Sequence, residues 1–165
     1  VAAFGVASLE AAGSPDPSRG GSLVAFVAIA SGTAGCVVAG YLGDRVGKAR
    51  VAASAMAVSA ACCALTPLVF GAPAVALVGF VVVWGFAVVA DSAQFSALVA
   101  AHSREYVGTA LTIQICLGFL LTAVTIRLTP EIAAAVGWKW TFLALVPGPL
   151  AGIWALRPLL SNSPD

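Results

Sequence analysis

Charge is scarce in this sequence: Asp, Glu, Lys and Arg make up 9% of its 165 residues, against roughly 25% in soluble domains. So little charge cannot cover a water-soluble fold of this size, and apolar residues reach 61% with a mean hydropathy of +1.03. A net charge of +1, without a basic arm or an acidic tail, excludes the clustered Lys and Arg with which proteins neutralise nucleic-acid phosphates. Histidine occurs once, at His102. It lies in an expected loop, as an exposed structural residue or a proton relay, and no imidazole–carboxylate nucleophile triad can be assembled within a span. The four cysteines, Cys36, Cys62, Cys63 and Cys116, lack a C-x-x-C spacing with a nearby His, so they read as small packing residues and not as zinc ligands or disulfide partners. No cofactor or metal is implied, and the chain does not read as an enzyme.

What is present is a series of long apolar blocks. Residues 22–42 carry no charge and would form a helix about 31 Å long, which matches the hydrocarbon thickness of a bilayer. Further spans are expected over 51–70, 74–101, 107–126 and 141–160. Residues 1–9 are apolar but too few to cross, so residues 1–10 read as the end of a helix that starts further upstream. No signal peptide is visible. The Pro-, Gly- and Ser-rich residues 11–22 read as a loop, and Thr129-Pro130-Glu131 opens an amphiphilic connection with Trp138, Lys139 and Trp140 as interfacial anchors. Pro147 and Pro149 sit inside the last span, where neighbouring helices can re-satisfy freed carbonyls. The fold class is therefore all-α: a polytopic membrane helix bundle of five full transmembrane helices and one truncated helix, integral to a lipid bilayer.

Loop charge orients the bundle. Arg45, Lys48, Arg50, Arg104 and Arg157 fall on one face, and Arg19, Arg127 and Lys139 on the other, so the first face is expected to be cytoplasmic. Gly32, Cys36 and Gly40, and likewise Ala53, Ala57 and Ala61, recur at four-residue spacing, the pattern that lets helix backbones approach in lipid.

The turn between the first two full spans, Gly40-Tyr41-Leu42-Gly43-Asp44-Arg45-Val46-Gly47-Lys48-Ala49-Arg50, gives each residue type a task. The glycines permit a tight turn, Asp44 can accept hydrogen bonds from helix amino-terminal N–H groups, and the bases anchor the cytoplasmic side. This stretch resembles the loop signature of the major facilitator superfamily, G-x-L-A-D-R-x-G-R-R, at Gly40, Leu42, Asp44, Arg45, Gly47, Lys48 and Arg50. It departs at Gly43, where the family has Ala, and at Ala49, where a base is common. The resemblance implies six helices per half, with this chain holding helix 7 in part and helices 8 to 12. A missing amino-terminal bundle of the same polypeptide would be its partner, a small molecule or ion its substrate, and the inner (plasma) membrane of a bacterium its location. Assignment to helices 1 to 6 stays open, although the polar ending at 161–165 favours the second half.

Asp91 carries the most information, because an ionisable side chain at membrane depth costs about 2.5–3.5 kcal/mol and turns towards protein or water. Two readings are open. Asp91 faces a substrate or proton pathway with Ser92 and Gln94, or it pairs with Arg104 or caps a helix near the cytoplasmic end. Gln114, Gly118 and Thr122 follow at four-residue spacing, with Thr125 close by, and either line a cavity or make interhelical hydrogen bonds. In the resembling family these stretches would be helices 10 and 11, which border the cavity. Two functions remain in play: a secondary active transporter working by alternating access, of which this chain is one half, and a non-transporting membrane scaffold or assembly subunit.

Overall fold

The computed structural model describes residues 1–103 and 105–161. Arg104, expected as a partner of Asp91 and as a cytoplasmic charge, and the polar ending at 162–165 lie outside the described residues. The chain is helical throughout, with no strand among those residues: α1 (Ala2–Ala11), α2 (Pro17–Val46), α3 (Lys48–Val69), α4 (Ala74–His102), α5 (Val107–Val136), α6 (Trp138–Thr141), a 3-10 segment (Phe142–Leu145) and α7 (Pro147–Ser161). Five stretches are long and apolar enough to cross a membrane, the last being Trp138–Leu160 taken as one unit. The protein is a multi-pass membrane helix bundle. Its surface agrees with this, since Phe26, Ile29, Val37, Leu68 and Val75 are each more than two-thirds exposed. Such apolar patches are liabilities in water and ordinary in lipid.

Helix ends differ from expectation where capping outweighs composition. The stretch read as a loop up to residue 22 is helical from Pro17, because Asp16 accepts a hydrogen bond from the Arg19 N–H at 3.2 Å and Pro17 occupies the first helical position, where a missing N–H costs nothing. At the other end α2 runs through Gly43, Asp44, Arg45 and Val46. Gly47 alone makes the turn, with φ 100°, a conformation open mainly to glycine. Asp44 therefore lies in the last turn of α2, exposed, and no side chain caps α3. The expected capping role of Asp44 is not what the structure shows.

α5 likewise continues past Arg127 and through Pro130 to Val136, ending at Gly137 with φ 82°. Pro130 lies about 35 Å along the helix, beyond the hydrocarbon, where water can take up the carbonyl that proline leaves unpaired. Within the membrane the same problem is solved internally. Pro67 cannot bond to the Cys63 carbonyl, and the Thr66 hydroxyl donates to it instead at 2.9 Å. In the final span, Pro147 removes the N–H that would continue an α-helix from Leu143, and the preceding residues tighten into the 3-10 segment.

The core is built on α2 and α4, which run parallel with backbones nearly touching. Their contact passes from Ala28 against Gly85, through Gly32 against Val89 and Gly35 against Phe86, to Gly43 against Gln94. Midway the Cys36 Sγ donates to the Val89 carbonyl at 3.6 Å. The packed row on α2 is thus Gly21, Val24, Ala28, Gly32, Gly35, Ala39 and Gly43. Gly40 faces open space. On α3 the buried face is Ala52, Met56, Ser59, Cys63 and Thr66, whereas Ala57 and Ala61 are exposed. Four-residue spacing of small residues therefore identified the wrong face of α3, because alanine is abundant on every side of it.

One end of the bundle is closed by aromatic rings. Phe4 packs on Phe70 and Phe142, and Phe142 stands edge-on to Trp84 with centroids 5.0 Å apart. There α1 is tied down by the Gly71 N–H donating to the buried Ser8 hydroxyl at 3.1 Å. α7 packs on α3 through Leu156 against Ala52 and Met56. α5 stands apart: only Ala133 in it is buried.

Candidate functional site

α5 diverges from the bundle and leaves a groove of about 960 Å³ against α4. Its polar residues come from positions where a chain in lipid has little reason to place them. Asp91 lies about 5 Å from the midpoint of α4, and Gln114 and Thr122 lie about 4 Å and about 8 Å from the middle of the apolar stretch 107–126 of α5, at about 1.5 Å rise per residue. The two helices run antiparallel, which brings Ser96 level with Gln114. There the Gln114 Nε2 donates to the Ser96 Oγ at 3.3 Å, the one side-chain hydrogen bond joining α5 to α4 among the described residues.

Asp91, Ser92, Gln114 and Thr122 all line this groove, together with Gly118, which the sequence spacing singled out on α5. Phe95, Ser96, Ile113, Leu117 and Phe119 supply much of the remaining wall. The sequence reading missed Ser96, although it stands four residues after Ser92 and so on the same helix face. Gln94 does not belong to the groove. Two residues beyond Ser92 it points about 200° away round the helix, is 3% exposed, and lays its amide against Gly43 of α2. A Cβ at position 43 would stand 2.5 Å from the Gln94 Oε1.

Hydrogen-bond accounting defines what the groove can do. The Ser92 hydroxyl is engaged with the Asp91 Oδ1 at 3.1 Å and the Val88 carbonyl at 3.4 Å. The Ser96 hydroxyl donates to the Ser92 carbonyl at 3.3 Å, and the Thr122 hydroxyl to the Gly118 carbonyl at 2.8 Å. The hydroxyl protons are therefore committed. The acceptors are not: the Gln114 Oε1 is buried without a partner, and the Asp91 carboxylate has the Ser92 hydroxyl as its side-chain donor and no ion pair among the described residues. One turn beyond Gln114 on the same face of α5, a Cβ on Gly118 would meet nothing within 4 Å.

The loop-signature residues form a separate feature at one end of the bundle. Gly40, Leu42, Asp44 and Arg45 complete α2, Gly47 turns, and Lys48 and Arg50 open α3. The Arg45 guanidinium stacks 4.3 Å above the Tyr41 ring, which holds one cation of the turn against the helix. At the opposite end the Lys139 ammonium lies 5.6 Å over Trp140, in keeping with an interfacial position. A second cavity, about 540 Å³ and bordered by α1, α2, α3, α4, the 3-10 segment and α7, is lined almost wholly by apolar side chains and holds no Asp, Glu, Lys, Arg or His. No three His, Cys, Asp or Glu side chains are grouped to hold a metal ion among the described residues. Compared with known proteins, the chain matches no family model, no curated protein and no solved structure.

Proposed function

We propose that this chain is one helix bundle of a secondary active transporter of the major facilitator type. It would move a small solute across the inner (plasma) membrane of a bacterium by rocking against an amino-terminal bundle of the same polypeptide. The observation that carries this reading is the groove between α4 and α5. A carboxylate, an amide and three hydroxyl residues from two helices line one groove within the apolar spans, with Asp91, Ser92, Ser96 and Thr122 bordering its volume and the Gln114 amide set between the helices. An intramembrane carboxylate costs free energy to insert, and a substrate or proton pathway gives it a use. The turn at 40–50, with its Gly47 pivot and basic flank, adds the resemblance that gives the reading its transporter type.

Gly118→Val tests this. The added side chain enters open space, so the bundle should persist while the groove narrows. In membrane vesicles holding the complete polypeptide, saturable solute uptake should fall about tenfold or more, equivalent to at least 1.4 kcal/mol at the site. Uptake at the wild-type rate in a protein narrowed this way would refute the reading. Complete absence of saturable uptake in the wild type would favour the scaffold.

A further inference from the structure

We infer that the groove between α4 and α5 is a site for a protonated amine with an apolar body, an inference that rests on the transporter reading and names its substrate class. The argument is one of donors and acceptors. Each hydroxyl proton in the groove is already given to a backbone carbonyl or to Asp91. What the groove offers in return is acceptor capacity, at the Asp91 carboxylate and at the partnerless, buried Gln114 Oε1. A ligand that arrives with acceptors, such as a carboxylate or phosphate, finds no free hydroxyl proton and meets a like charge. An ammonium group brings N–H donors for the partnerless Gln114 Oε1 and for the acceptor capacity that the Ser92 hydroxyl leaves open on Asp91, together with a positive charge to match an intramembrane carboxylate.

The rest of the wall fixes the remainder of the ligand. Phe95, Ile113, Leu117 and Phe119 are apolar, and two of them are aromatic, suited to a hydrocarbon or aryl body beside the charged head. Gly118, on the row that also carries Gln114 and Thr122, leaves the space the body would occupy. Distinguishing a hydrogen-bonding ammonium from a merely positive ion is possible because a quaternary ammonium has the charge and no N–H.

The test is calorimetric binding to the complete polypeptide in lipid nanodiscs at neutral pH, using phenylbutylamine, its trimethylammonium derivative and phenylbutanoate. Phenylbutylamine should bind saturably, the trimethylammonium derivative several-fold more weakly, and phenylbutanoate not measurably. Asp91→Asn should weaken phenylbutylamine by about tenfold to a hundredfold, as expected for a hydrogen bond to a charged group. Asp91→Glu keeps the charge and should retain most of the affinity, which separates lost recognition from lost folding. Gln114→Leu should weaken the amine and leave the trimethylammonium derivative unchanged. Phenylbutanoate binding as tightly as the amine, an unaffected Asp91→Asn, or no saturable amine binding would each overturn the inference. Should Gly118→Val still abolish uptake of some other solute, the transporter reading survives without the amine; should it leave all uptake intact, that reading falls with it.

Discussion

Two glycines on α2, five residues apart, are expected to respond to the same substitution with opposite signs. At Gly35 an added Cβ would stand 3.1 Å from the Phe86 carbonyl carbon and 3.2 Å from its Cα, closer still to the carbonyl oxygen. These are backbone atoms of α4 and cannot rotate aside. Ordinary van der Waals contact begins near 3.4–4 Å, so α2 and α4 must part by several tenths of an ångström to about 1 Å, a gap that forfeits a quarter to a half of the local dispersion energy. Gly35→Ala should therefore destabilise the bundle by about 1–3 kcal/mol, the range for overpacking a close-packed interface. At Gly40 nothing lies within 4 Å. There Gly40→Ala removes only the conformational freedom of glycine in a helix, for a gain of about 0.5–1 kcal/mol. Unfolding in mixed detergent micelles, followed by circular dichroism, measures both. A neutral Gly35→Ala, or loss at Gly40 equal to that at Gly35, would refute the α2–α4 contact.

Other substitutions examine neighbouring parts of the account. Gln94→Met keeps the side-chain length against Gly43 and removes a buried oxygen without a partner, so the same unfolding assay should show stabilisation of about 1 kcal/mol. In detergent, a small lipophilic maleimide should modify Cys116, exposed on α5, and leave the buried Cys62 and Cys63 intact until unfolding, as peptide mass mapping would show. Pro147→Ala restores the missing N–H, and hydrogen exchange of the amides over 142–147 should slow as the 3-10 segment becomes α-helical.

The membrane spans were legible because an apolar run of bilayer length has one economical conformation in lipid, a helix that satisfies its own backbone. Their ends were less so. Asp16 and Pro17 form a cap and a first helical residue, a signal present in the sequence but hidden within a stretch rich in loop-forming residues. The extension of α5 past Arg127 was obscured by treating a charge as the limit of a helix, when it marks only the limit of the hydrocarbon. Asp91, Ser92, Gln114 and Thr122 could be picked out because polar side chains are conspicuous in an apolar helix. Their meeting in one groove, and the exclusion of Gln94 from it, depend on the rotation of α4 and the divergence of α5, which are set by packing between helices distant in sequence. The same limit explains α3, where abundant alanine gave no sign of which face is buried.

The most direct test of the account is topological, because every other statement assumes that five segments cross a bilayer. Single cysteines placed at Ser18, Lys48, Ala72, Ser103 and Lys139 in a cysteine-free background can be probed on intact cells with a membrane-impermeant maleimide. Labelling at Ser18, Ala72 and Lys139, with Lys48 and Ser103 reacting only after permeabilisation, is the predicted pattern. Consecutive turns, such as Lys48 and Ala72, reacting from the same side would contradict it.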